Sequence, residues 1–385
     1  MKARPAVALL IETSNSYSRD LLHGIHAYLG QHRPWAIRLS EQGRGNEPPP
    51  WLATWRGDGI IARIENAAIE RAVRKVGVPV VNVSATGRAP EIPAVTSRSA
   101  SIAGLAAQHL LDRGFNHFAY CGDARFPWSE KHGRHFVDFL RKHGHRCVEF
   151  PSHARDFADW AGEFRRLRRW LLDLPKPVGV MACYDSRGQQ LLDVCRDANL
   201  RVPGEVAVIG QHNDELLCDL CDPPLSSVIP NASRAGYAAA ELLEKMMAGK
   251  RLPARPVEIE PIGVATRQST DIVALSDAKI AEAVRFIHLH AHENISVSDV
   301  LQAVPMSRTL LERKFRALLK RSPAEEIIAC RIRLVRKLLS TTSLSVAEIA
   351  DRTGFSSPEY LSSAFKRETG AGPREFRRIQ GIRRG

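Results

Sequence analysis

Runs of apolar, β-branched residues recur from position 7 onward, each followed by a stretch in which apolar residues return every three or four positions. The short runs mark buried strands, and the longer period marks helices with one buried face. The predicted strands are Val7–Ile11, Gly59–Ala62, Val78–Val83, Phe118–Cys121, Val178–Ala182 and Val206–Ile209. The predicted helices are Ser18–Gln31, Ala67–Lys75, Ser99–Arg113, Ser129–His143, Ser186–Asn199 and Ser233–Ala248. Strand-helix alternation implies mostly parallel sheets with helices on both faces. Carried through residues 1–270, it predicts two α/β lobes with a ligand cleft at the carboxyl ends of the strands.

Beyond residue 271 the strand pattern stops, and residues 276–380 read as an all-α domain. An approximate repeat appears there. Ser296-Val-Ser-Asp299 matches Ser345-Val-Ala-Glu348 at an offset of 49, and the segment from Ser307 matches the segment from Ser357 at an offset of 50. A serine followed three residues later by an acid is a capping box, best formed by Ser345 and Glu348. Pro358 suits the first position of a helix, and Gly354 suits a left-handed turn residue. Each repeat is therefore a short helix, a tight turn and a second helix, which is a helix-turn-helix unit. The units span 296–319 and 345–368. Between them, 324–340 forms one helix with Ile328, Ile332, Val335 and Leu339 on its core side. At 1.5 Å per residue it is about 25 Å long, enough to set two reading helices in successive major grooves about 34 Å apart.

Within "GFSSPEYLSSAFKRETGAGPREFR" (354–377), Phe355, Tyr360, Leu361, Ala364, Phe365 and Phe376 fall on a helical apolar face, so Tyr360 joins Phe315 and Phe365 among the expected core residues. The polar residues near the start of each second helix are the candidate base readers: Thr309, Glu312 and Arg313 in the first unit, and Glu359, Ser362 and Ser363 beside Pro358 in the second. The planar fork of Arg313 suits the two acceptors of guanine. Arg308, Lys314, Lys366 and Arg367 suit phosphates, which fix register.

Charge sharpens this picture. The whole chain carries a formal net charge of +13, and residues 276–385 alone hold 20 Lys+Arg against 12 Asp+Glu. That leaves +8 in 110 residues and +5 in the other 275, so the charge that would attract duplex DNA is concentrated in the helical part. No apolar run approaches the ~20 residues of a membrane span, and Ala6–Ile11 is too short for a signal-peptide core. Seven cysteines scattered without an export signal fit free thiols in a reducing cytoplasm. Cys218 and Cys221 form an isolated CxxC, and His288 and His292 share one helical face at i, i+4 without the acid of a zinc-protease motif, which reads as a solvated face. Neither supports a metal site, and phosphate-loop and nucleophile-elbow motifs are absent from the sequence. No catalytic residue and no cofactor is assigned. A sugar-converting enzyme with a helical appendage is the competing reading, and it lacks these signatures.

The segment from 354 to 377, preceded by "SVAEIADRT", closely resembles the signature of AraC/XylS-type transcription regulators through Gly354, Phe355, Tyr360, Phe365, Lys366, Gly370, Pro373 and Arg377. The first 270 residues resemble the LacI/GalR and periplasmic sugar-binding fold, most clearly in "NLRVPGEVAVIGQHNDELL". A sensor of the second kind followed by a reader of the first points to the group of xylose-responsive activators. The resemblance implies a cytoplasmic homodimer that binds double-stranded DNA, responds to a small-molecule sugar and acts with RNA polymerase. It also implies polar sugar contacts at Arg19 and Asp185 and a stacking surface at Trp128. Three positions depart from that pattern: His132 replaces an arginine, and His212 and Ser97 replace aspartates. The effector is accordingly left open between xylose, another metabolite and no ligand at all.

Overall fold

The computed structural model describes residues 4–41, 43, 46–152, 159–250, 255–271, 278–319 and 321–379. The chain divides into two compact units, Met1–Asp271 and Ile272–Gly385.

In the first unit, β1 (Ala6–Leu10), α1 (Ser16–Leu29), β2 (Ala36–Leu39), β3 (Gly59–Ala62), α2 (Ala67–Val76), β4 (Val80–Asn82) and β5 (Val95–Ser97) open the chain. They are followed by α3 (Ser99–Leu111), β6 (His117–Cys121), α4 (Pro127–Lys142), β7 (Cys147–Glu149), α5 (Trp160–Asp173), β8 (Val178–Ala182) and α6 (Asp185–Asp197). Then come β9 (Val206–Gln211), α7 (Glu215–Leu220), β10 (Ser226–Ile229), α8 (Ala232–Met247), β11 (Val257–Ile259) and β12 (Gly263–Ala265). Strands pair in the order β2-β1-β3-β4 in one sheet and β12-β10-β9-β8-β6-β7 in the other, with β11 beside β5. All pairings are parallel except that of β10 with β12.

Each sheet carries its own core. Val7, Leu9, Ile61 and Val81 pack against α1 and α8, while Val178, Val180, Val206 and Val208 pack against Leu167, Leu171, Leu191 and Leu192. Helices α1 and α8 touch backbone to backbone. A side chain at Gly24 would strike the Ser233 carbonyl, and one at Gly236 would strike that of Leu21. The chain passes between the two sheets after β5, after β10 and after β11, so three short segments join the lobes.

The second unit consists of α9 (Ala278–His290), α10 (Val297–Ala303), α11 (Arg308–Leu319), α12 (Pro323–Thr341), α13 (Val346–Arg352), α14 (Pro358–Thr369) and α15 (Pro373–Ile379). Capping boxes start α10, α12 and α13, through Ser296/Asp299, Ser322/Glu325 and Ser345/Glu348. The Ser322 box is additional to the sequence expectation. Helix α12 serves two separate cores. Its first half puts Ile327 and Cys330 against Ile280, Val300, Leu311 and Phe315, and its second half puts Ile332, Val335 and Leu339 against Ile349, Phe355, Leu361 and Phe365. At 1.5 Å per residue its 19 residues span about 28 Å.

Tyr360 is not a core residue. It is 40 % exposed, with its ring edge-on to Phe355 at 5.6 Å. Leu361, Ala364 and Phe365 already fill the buried seam of α14, and a residue one place before Leu361 is turned about 100° away from it.

Candidate functional site

The helical unit presents two outward faces. On α11, Arg308, Thr309, Glu312, Arg313 and Arg316 line one open groove, in which Arg308 lies 3.5 Å from Glu312. Arg308, Thr309 and Arg313 are exposed, whereas Lys314 is half-buried. Arg316 was not singled out from the sequence, although it follows Arg313 and Glu312 at helical spacing. On α14, Glu359, Ser363, Lys366 and Arg367 are exposed, and Pro358 opens the helix with Ser357 accepting from the Tyr360 N–H at 3.1 Å. Ser362 Oγ donates to the Pro358 carbonyl at 2.8 Å and Ser363 Oγ to that of Tyr360 at 3.0 Å. Both hydroxyls spend their proton on the helix and present lone pairs outward.

The turns leading to these faces differ. Gly354 holds φ at +71°, and a Cβ there would lie 2.7 Å from both the Ala291 oxygen and the Asn294 nitrogen. In the first unit Pro305 stands where the second has Gly354, the preceding Val304 is extended, and Met306 packs partly on the core as Phe355 does in the second. Arg331, buried in the middle of α12, donates to the Ala291 and Ile295 carbonyls, both at 2.8 Å, with its guanidinium 5.8 Å from the Phe355 ring. One side chain thereby ties the end of the first helix-turn-helix support to the turn of the second.

His288 does not lie on a solvated face. Its Nε2 sits 2.9 Å from Glu326 Oε1, beside Cys330, because α9 packs this face against α12. His292 falls outside α9, in a short 3-10 turn. The three ligand-type atoms of His288, Glu326 and Cys330 lie within 4.8 Å of one another. Cations already occupy them: Arg321 lies 2.8 Å from Glu326 Oε2, and Arg333 donates to the Cys330 sulfur at 2.9 Å. The group is an ion-pair network of half-exposed cations around the buried Glu326 carboxylate. Burial alone would lower the His288 imidazole, yet its hydrogen bonds with Cys330 and Glu326 hold it up at about 9. Burial alone would raise the Glu326 carboxyl, yet His288, Arg321 and Arg333 hold it down at about 2. The stabilisation from His288 is complete below its unfolded value near 6.5 and is lost as pH rises through about 9. The thermal midpoint of the helical unit should therefore fall between those values, and His288→Gln should flatten the fall. A native profile that stays level across that window would contradict the pairing.

In the first unit, charged and aromatic groups collect where strands end, as an open parallel sheet places them. Glu12 follows β1, and Arg63 and Glu65 follow β3. Arg63 lies 2.9 Å from Glu12 and 2.7 Å from Glu65, donates to Ser18 Oγ at 2.8 Å, and is 6 % exposed. Burial works against its charge, but the two carboxylates outweigh that and keep it firmly protonated. From the other lobe, Trp128 Nε1 reaches Glu65 Oε2 at 3.2 Å, and the His212 ring approaches the Tyr17 ring at 5.0 Å. Trp128 also faces His132 at 5.9 Å and Tyr184 at 6.1 Å. Ser97 hydrogen-bonds Tyr17 at 3.2 Å. Gln211, ending β9, sits between His132 and His212 at 3.4 and 3.3 Å.

Ser97, Trp128, His132 and His212 thus converge with Tyr17, Glu12, Arg63, Glu65 and Gln211, which the sequence reading passed over. Arg19 stands at the rim. It donates to the Thr13 carbonyl at 3.0 Å and lies 3.8 Å from Asp214 of the opposite lobe. Asp185 is turned into its own lobe, accepting from Ser227 Oγ at 2.6 Å and from the Asp214 N–H at 2.8 Å. Burial pushes its carboxyl up to about 7, although both donors act to lower it. Cys218 and Cys221 are free and buried. Among the described residues no helix is long and apolar enough to cross a membrane.

A bilobed sensor cleft followed by paired helix-turn-helix units defines a DNA-binding transcription regulator. The family comparisons agree with each part: the XylR N-terminal domain matches residues 6–97, the periplasmic binding protein-like domain 107–270, and the helix-turn-helix domain 300–379. The chain belongs to the family of xylose operon regulatory proteins. It is 30% identical to that of Escherichia coli strain K12 over 98% of this chain and 97% of the relative, and 28% identical to that of Haemophilus influenzae over 96% and 97%. The solved structure of the xylose-binding transcription activator xylR is similar at a TM-score of 0.63 and 29% identity, covering 98% of this chain and 99% of that one.

Proposed function

We propose that this regulator activates sugar-catabolism genes and that a sugar held between the two lobes of the first unit controls it. The observation that carries the reading is the arrangement of α12, one helix built into both cores of the reading unit, in a chain that follows the xylose operon regulators from end to end. Thr309, Glu312 and Arg313 would read base edges in one major groove and Glu359, Ser362 and Ser363 in the next, with Arg308, Lys314, Lys366 and Arg367 on phosphates. The chain would act as a homodimer on direct repeats and contact RNA polymerase. The role is regulatory, not catalytic. His132, His212 and Ser97 favour a second reading in which the sugar is a relative of xylose and not xylose itself.

Fluorescence anisotropy with duplexes selected from a random pool tests the DNA part. Four phosphate contacts per chain predict a slope of log K on log salt of about −4 for each chain bound, and about −7 for the homodimer. Arg313→Ala should cost about 1–3 kcal/mol and relax the preference at a single base pair. Uniform weakening at every position would move Arg313 to the phosphate group of contacts, and a flat salt response would remove DNA from the account.

A further inference from the structure

We infer that Gln211 fixes the tautomer of His132, so that the cleft offers one neutral donor, His132 Nε2–H, and one neutral acceptor, Gln211 Oε1, and selects an uncharged polyhydroxylated effector. This deepens the sensor reading above and rests on it.

The Gln211 amide nitrogen lies 3.4 Å from His132 Nδ1 and 3.3 Å from His212 Nε2. An amide NH2 has two hydrogens and gives one to each ring. His132 is neutral, because burial pushes its imidazole down to about 3 and the neighbouring His135 and Lys131 add to the fall. A neutral imidazole that accepts at Nδ1 carries its single proton at Nε2. That His132 Nε2–H is buried and meets no hydrogen-bond partner among the described residues, and the same holds for Gln211 Oε1. The two residues are 4 % and 2 % exposed. Buried polar atoms are almost always paired in native proteins, so two orphans on residues in contact, one donor and one acceptor, point to a ligand that completes both. A hydroxyl serves either atom, and neighbouring hydroxyls serve the two together. A carboxylate or a fully ionised phosphate group only accepts, so one seated against this pair would leave Gln211 Oε1 unmet.

The rest of the cleft agrees. Its buried guanidinium, Arg63, is already held between Glu12 and Glu65, so these three groups sum to one negative charge and repel an anion. The ring of Trp128, facing both His132 and His212, supplies an apolar surface for the C–H face of a ring or chain.

The test is isothermal titration of the full chain with D-xylose, D-ribose and D-glucose, each beside its aldonate and its terminal phosphate. An uncharged sugar should bind most tightly, with its anionic counterparts weaker by at least about tenfold. Gln211→Leu and His132→Leu should each weaken that sugar by about tenfold or more, whereas His132→Gln, which keeps an N–H donor, should stay within about threefold of the native chain. A tighter-binding aldonate or phosphate would overturn the inference and leave the sensor reading standing, as would leucine variants that bind like the native chain. Should none of the nine compounds bind the native chain, the sensor reading itself would fall with it. The compound series needs no variant, so a leucine variant that fails to fold does not stop the test.

Discussion

Replacing Gly354 with alanine should dismantle the second helix-turn-helix unit and weaken duplex binding by well over tenfold. The backbone at Gly354 has φ +71°, where an L side chain costs about 1–2 kcal/mol. The added Cβ would also lie 2.7 Å from two backbone atoms, Ala291 O and Asn294 N. Neither can yield easily, because Ala291 O already accepts from the buried Arg331 guanidinium and Asn294 holds a left-handed cap of its own. Moving either one disturbs the tie between the two halves of the unit. Adding the steric conflict to the dihedral cost gives roughly 3 kcal/mol or more of lost stability. Differential scanning calorimetry and anisotropy on the full chain would measure it. A variant with native melting and native DNA affinity would show that the turn tolerates a side chain and that α13 and α14 are held in place by something other than this contact.

Arg63→Met should be at least as damaging in the sensor. Methionine approximates the length and removes the charge, leaving Glu12 and Glu65 buried at 5 % and 7 % exposure without their cation. Breaking a buried pair by removing one partner costs about 3–5 kcal/mol, chiefly from the uncompensated charges left behind. Trp128, which donates to Glu65 from the other lobe, should lose its fixed position as well, so effector binding should disappear together with stability. The triple replacement of Glu12, Glu65 and Arg63 by Gln, Gln and Met should recover much of the melting temperature and none of the binding. If Arg63→Met alone melts like the native protein, water reaches these carboxylates and the triad does not anchor the cleft.

Local pattern carried most of the fold. Gly59–Ala62 and Val178–Ala182 are strands over the same residues that the apolar runs mark, and α3, α4 and α6 begin within two residues of their expected starts. Helix α5 was hidden because Arg165, Arg166, Arg168 and Arg169 crowd its sequence, yet Leu167 and Leu171 between and beyond them are fully buried. The edge strands β2 and β7 and the serine-rich β10 were hidden too, since edge strands need not alternate and Ser226 and Ser227 are buried by hydrogen bonds instead of apolar packing. In the cleft, Trp128, His132 and His212 were legible through a resemblance, but Arg63 and Glu65 were not. Charged residues directly behind an all-apolar strand such as Gly59–Ala62 are the signal that was there to be used, because parallel strands deliver whatever follows them to the ligand edge. Tyr360 misled because periodicity fixes a face only to within a residue or so, and the buried seam of α14 was already full.

Hydroxyl-radical footprinting of the full chain on a selected duplex tests the central claim most directly. If α12 is a rigid strut that sets α11 and α14 one duplex turn apart, each bound chain should protect two windows about 10 base pairs apart on one face of the DNA. Arg313→Ala should then relax the preference at one base pair inside one window and leave the other window's preference unchanged. A single protected window per chain, or two windows whose separation varies from site to site, would contradict the account.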